Sequence, residues 1–111
     1  MKIIHKMLEH LDDELEGAME YAEEYIEHKA KNDHTRATKF KEMAHDELNH
    51  ASTLRDFFIT DMESIKRVYT LTEEETHAWE HGCKKINQQM TNNFNNQKSR
   101  FCNARSLLCP F

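Results

Sequence analysis

Glu47-Leu48-Asn49-His50 sets a carboxylate and an imidazole one helical turn apart. At about 100° per residue, Phe40, Met43, Glu47, His50, Ala51, Leu54 and Phe58 fall on one helix face. Two ionisable groups set into an apolar stripe cost free energy unless something compensates them. A bound metal ion compensates both at this spacing, because Glu-x-x-His turns two donors to the same side of a helix.

Spacing alone does not decide the matter. With fourteen Glu and eight His in 111 residues, about one such pair arises by chance. Three occur: Glu42/His45, Glu47/His50 and Glu74/His77. Glu42 and His45 project away from the Phe40/Leu54 stripe and read as solvated surface. Glu74/His77 falls in the first turn of a later helix, where acids suit the helix dipole. Glu47/His50 therefore carries the metal reading. A carboxylate from the preceding helix is needed beside it. That helix has its apolar stripe centred near Ile4, Leu11 and Ala22, and Glu14 is the nearest glutamate, about 70° away. Glu16, Glu20 and Glu23 lie farther round, toward solvent.

The elements that must position these groups are long helices. Two Gly, one Pro and 32% charged residues favour helix over strand and tight turn. The first helix is expected from about Lys2 to Lys31, with Ile4, Leu8, Leu11, Leu15, Ala18, Ala22, Ile26 and Lys29 on one face. Asn32-Asp33-His34-Thr35 is the first break, with Asp33 or Thr35 able to cap the second helix. That helix covers about Arg36 to Asp61 and extends toward Lys66. So short a connection makes the two an antiparallel hairpin. A third helix opens near Thr72, where Thr72 and Glu75 suit a capping box, and its stripe is Trp79, Cys83, Ile86, Met90 and Phe94. From Asn87 on, Asn and Gln weaken the helical pattern. The organisation is thus a hairpin over 1–70, a third helix over 71–98, and an irregular basic tail over 99–111.

The charge is split. The net charge is −5, yet residues 1–80 hold all twenty acids and ten bases, and residues 81–111 hold five bases and no acid. An acidic body argues against nucleic-acid binding. The chain shows no apolar run of membrane-spanning length and no signal-peptide pattern, so no membrane association is expected. Cys83, Cys102 and Cys109 lack metal-knuckle spacing and fit a reducing compartment, the cytoplasm. Cys83, central on an apolar stripe, reads as a small hydrophobe, and Cys102 and Cys109 can pair if the tail is oxidised.

Glu14, Gly17/Ala18 and Tyr21, followed by Phe40-x-x-x-Ala44-x-x-Glu47-x-x-His50-Ala51, resemble the ferritin-like di-iron superfamily. The nearest likenesses are rubrerythrin-type domains and the short ferritins packaged inside encapsulin shells. The resemblance covers residues 4–60. It implies that Glu14, Glu47 and His50 are iron ligands with Glu47 bridging, that an encapsulating shell is a candidate partner, and that the chemistry is oxidation of Fe(II) by oxygen or peroxide. The third helix departs from the family pattern. Glu80, on the shoulder of the Trp79/Cys83 stripe, is the one further ligand candidate there. His77 and His81, one turn apart, permit metal capture but face away from that stripe.

Ligand arithmetic adds a physical argument. A complete carboxylate di-metal site takes a glutamate from each of two helices and a Glu-x-x-His from each of two others. This chain supplies one of each, half a site. The expected fold is therefore an all-α, ferritin-like antiparallel hairpin plus a third helix, with the four-helix bundle completed in a homodimer or a multiple of dimers. The expected load is two Fe per dimer, and the mixed oxygen and nitrogen donors also admit Mn or Zn. Tyr21 is a candidate redox participant beside the site, and the acids Glu16, Glu20, Glu23, Glu24 and Glu27 a candidate ferrous-attracting surface. Two rival readings stand beside this one. One is a non-catalytic helical-bundle interaction module that keeps Glu47/His50 as polar core; the other is a redox-inactive metal-binding protein.

Overall fold

The computed structural model describes residues 2–101. Among them are three helices, α1 (Lys2–Ala30), α2 (His34–Val68) and α3 (Glu73–Phe101), and no strand. The expectations for Cys102, Cys109 and most of the basic tail lie outside the described residues. None of the three helices is long and apolar enough to cross a membrane.

The turn between α1 and α2 is fixed by local chemistry. Asn32 takes a left-handed backbone (φ 59°), a conformation that Asn tolerates better than most residues. Around it the Asp33 N–H donates to the His28 carbonyl at 2.9 Å and the Asn32 N–H to the Lys29 carbonyl at 3.1 Å. This paired closure is a Schellman motif, and it satisfies carbonyls that α1 would otherwise leave open. Asp33, not Thr35, then caps α2 by accepting the Arg36 N–H at 3.1 Å. At the start of α3 the capping box forms: the Glu75 N–H donates to Thr72 Oγ1 (3.1 Å) and the Thr72 N–H to Glu75 Oε1 (3.0 Å). The bond from the Thr72 N–H holds the Glu75 carboxyl below its usual range.

The core runs the length of the bundle in three clusters. At one end Ile4, Met7, Met62 and Trp79 pack together, in the middle Leu11, Leu15, Leu48, Ala51 and Ile86, and at the other end Ala22, Tyr25, Ala37, Ala44 and Phe101. Ala18, Ala22, Ala44 and Ala51 are completely buried, so small residues line the α1/α2 contact and allow a close approach of the two helices. α3 follows α1 in a parallel sense. Gln89 hydrogen-bonds Asp12 and Asn96 hydrogen-bonds Met19, each pair 77 residues apart.

Several expectations about the buried faces shift once the packing is known. In α1, Met7 and Tyr25 are buried while Ile26 is 42% exposed and Lys29 lies on the surface, its ammonium 5.5 Å from the Tyr25 ring centre. In α2 the buried line is Ala37, Ala44, Leu48, Ala51 and Met62. Met43, Glu47 and His50 therefore lie on a flank and do not point into the core, while Phe40 packs against the Ala22/Ala44 cluster. Among the described residues only α1 and α3 are available to cover α2, and α3 covers the Leu48 side. In α3, Asn93 and Gln97 are buried while Phe94 is exposed. The helix also runs on through Ser99 and Arg100 to Phe101, whose ring meets Tyr25 edge-on at 4.8 Å. His45 is half-buried rather than solvated, in the groove between α2 and α3 with Met90 and Phe94. Burial pushes the Cys83 thiol up from its ordinary value, in keeping with its reading as a small hydrophobe.

Candidate metal centre

Glu14 and the Glu47/His50 pair come from two antiparallel helices and meet at mid-length. One donor atom from each of Glu14, Glu47 and His50 lies within 4.8 Å of the others. His50 Nδ1 stands 3.8 Å from Glu14 Oε2 and 3.9 Å from Glu47 Oε1, too far for hydrogen bonds. The side chains are graded in exposure, at 21% for Glu14, 27% for Glu47 and 60% for His50. The two carboxyl groups are thus half-buried and the imidazole forms the outer rim.

The cluster opens on the side of the hairpin away from α3. Asp12, which bonds α3, and Glu14 differ by about 160° around α1, as do His45 and Glu47 around α2. Gly17 lies beside the cluster: a Cβ there would sit 3.4 Å from Glu47 Oε2, in van der Waals contact with that carboxyl. Aromatic contacts bracket the site. The His10 and Phe58 rings lie 6.1 Å apart on one side, and the Tyr21 and Phe40 rings 6.0 Å apart on the other.

Charge is poorly balanced here. Contact with the Glu14 carboxyl, followed by burial and by the negative charge of Glu14, pushes the Glu47 carboxyl up to about 7, against an opposing pull from His50. With both carboxylates ionised, Glu14 Oε2 is a buried acceptor without a donor. Buried acceptors of that kind are uncommon and ask for an explanation. A divalent cation supplies one, since it satisfies the open oxygen and replaces the shared proton. Bonds of roughly 2.0–2.2 Å to one ion would require the three donors to close in from this spacing by side-chain rotation. The donor set fits Fe, Mn or Zn and contains no thiolate.

Other candidates lie elsewhere. Glu80 is exposed on α3, remote from the open hairpin face, and is not brought to the cluster. Tyr21 packs on Phe40, and Tyr25 is buried against Phe101. The imidazoles of His77 and His81 stack at 5.8 Å on the exposed side of α3. Sequence reasoning missed His10, whose Nε2 lies 3.7 Å from Glu14 Oε1. Its signal was the four-residue step from His10 to Glu14, which places both on one face.

Compared with protein-family models, curated proteins and solved structures, the chain returns no match. The functional reading therefore rests on the chemistry of the cluster itself.

Proposed function

We propose that Glu14, Glu47 and His50 hold one metal ion per chain, that two chains pair through the open hairpin face to complete a ferritin-like di-iron centre, and that the protein oxidises Fe(II) with oxygen or peroxide. The observation that carries the reading is the meeting of these three donors, with Glu14 and Glu47 33 positions apart in the chain, around a buried carboxylate oxygen that lacks a donor. The pairing is supported by the residues that flank them. Met43 is 39% and Phe57 60% exposed, on the helix side shared with Glu47 and His50. Such residues suit burial against a second copy of the same face.

When bound, a pair of ferrous ions supplies the two electrons that oxygen or peroxide takes up. The chain's own groups prepare that event. Glu14 and Glu47 bring negative charge that favours the ferric over the ferrous state. Glu47 gives up its shared proton as a cation arrives, so uptake releases acid. His50, exposed at the rim, contributes a nitrogen donor from the solvent side.

The shared proton also favours a second reading. A protonated Glu47 satisfies Glu14 without any metal, as a non-catalytic bundle module requires. An anaerobic Fe(II) titration of chelator-treated protein, followed by admission of air, separates the two. The metal reading expects one iron per chain, a near-ultraviolet ferric absorbance that grows with oxygen, and loss of both in Glu47→Ala. Absence of saturable iron binding removes it. A monomer that still takes two irons removes the shared centre.

A further inference from the structure

The opposite side of α1 carries a second cluster that supplies no ligand to the proposed di-iron centre. Asp12, Asp13 and Glu16 each offer a carboxylate oxygen within 4.8 Å of the others. Acidic residues on a helix surface are common, and alone they signify nothing. What distinguishes this group is the polar wall of α3 facing it.

The two helices are in step. Asp12 pairs with Gln89 and Met19 with Asn96, both at a separation of 77, which sets Glu16 level with Asn93. Asp12 and Glu16 are one turn apart on α1, as Gln89 and Asn93 are on α3. All four line one groove.

The orientations of both amides are fixed by their neighbours. Gln89 Nε2 donates to Asp12 Oδ1 at 2.8 Å, and Asn93 Nδ2 donates to the Gln89 backbone carbonyl at 3.2 Å. Reversing either amide would set oxygen against oxygen. The other end of each is consequently a carbonyl oxygen, and both Gln89 Oε1 and Asn93 Oδ1 are buried with no donor. Asn93 is only 4% exposed. Two carboxylates and two amides whose carbonyl oxygens lack donors thus line one groove. That composition seeks positive charge.

We propose that the α1/α3 groove binds a hard divalent cation of the calcium class, held by the carboxylates of Asp12 and Glu16 and the amide oxygens of Gln89 and Asn93, with Asp13 at the rim. Oxygen-only donors select such ions over softer metals, and amide carbonyls serve alongside carboxylates in calcium sites. The nitrogen-containing cluster at Glu14 has a different preference, and about 160° of α1 separates Glu14 from both Asp12 and Glu16. The bound ion fastens α3 to the hairpin where the α3 stripe has turned from Ile86 to Asn93 and Gln97. Lys85 lines the same groove and is the competing source of positive charge.

Calcium chloride added to chelator-treated full-length protein at physiological salt, which screens loose surface binding, tests this by calorimetry and thermal unfolding. A rise in Tm of about 5 °C at saturation is expected, with the same rise in Glu47→Gln. Glu16→Gln, at an exposed position, should weaken calcium binding at least tenfold while leaving the melting of the chelated protein nearly unchanged. Asn93→Leu should lose the calcium response yet melt no lower than the parent in chelator, since it removes an unsatisfied oxygen. Three results overturn the proposal. One is no calcium response, which leaves the groove to Lys85. Another is a response undiminished in Asn93→Leu, meaning an ion held by surface acids alone. The last is a response lost in Glu47→Gln, which places the ion in the other cluster.

Discussion

Replacing Glu47 by Gln should flatten a pH dependence that the metal-free parent displays. The Glu47 carboxyl is displaced from 4.5 to about 7 in the folded chain, chiefly by its contact with Glu14. Below pH 4.5 folded and unfolded chains both hold the proton. Between 4.5 and 7 only the folded chain holds it, so stability falls as pH rises through this window. Above 7 both are ionised, and the folded state bears the full repulsion. At 1.36 kcal/mol for each pH unit the displacement corresponds to about 3 kcal/mol. Solvent at the half-buried carboxyl reduces this to ~1–2 kcal/mol. A glutamine imitates the protonated acid at every pH and can donate to Glu14. In chelator, Glu47→Gln should therefore match the parent at pH 4 and exceed it by ~1–2 kcal/mol at pH 8, or roughly 4–10 °C in Tm for a domain of this size. Circular dichroism melts of both proteins across that range measure the difference, in which the titration of other groups cancels. With ferrous ion under anaerobic conditions the order should reverse, because only the parent gains from ligation. Parallel pH profiles in chelator would refute the reasoning, for they would mean that the two carboxyl groups do not share a proton.

Two further substitutions probe the packing. A Cβ at Gly82 would stand 2.8 Å from Leu8 Cδ2 and nearer still to its other methyl. Gly82→Ala should therefore lose ~0.5–1.5 kcal/mol in chemical denaturation despite its better helix propensity, and Leu8→Val in the same chain should recover part of the loss. A gain in stability from Gly82→Ala alone would show that Leu8 yields freely. Gln97 is completely buried, donates to the Ala44 carbonyl at 2.9 Å, and leaves its Oε1 without a donor. Gln97→Leu should stay within ~1 kcal/mol of the parent because it removes both the bond and the unsatisfied oxygen, whereas Gln97→Ala should lose ~2 kcal/mol or more to the cavity. Equal losses in the two melts would contradict this.

What could be read in advance was whatever depends on near neighbours or on helical phase. The Asp33 cap and the Thr72/Glu75 box involve residues three apart, and both form. The meeting of Glu14 with Glu47 and His50 followed from their angular positions on a hairpin with a short turn. What could not be read was which flank of each helix a third element would cover. Phe94 continued the apolar spacing of α3 yet lies exposed, while Asn93 and Gln97 lie buried. Their burial depends on partners 53 residues away or more, at Ala44 and across the groove on α1. His50 was expected in a core and stands at a rim for the same reason, since none of the three described helices covers that side. Residue type alone carries no record of such long-range choices.

Glu14 and the Glu47/His50 pair sit in the middle of uninterrupted helices, with only the short turn around Asn32 between them. This governs how such a chain can change length over evolutionary time. One residue inserted between Glu14 and the end of α1, or between the start of α2 and Glu47, rotates one donor by about 100° relative to the other helix and advances it by about 1.5 Å. Either event dismantles the cluster while leaving hydropathy and helix content almost untouched. The turn, by contrast, can absorb added residues, as can the segment joining α2 to α3. Among descendants of this sequence, retained function should therefore coincide with an unchanged number of residues on each side of the turn, even where the residues themselves have been replaced.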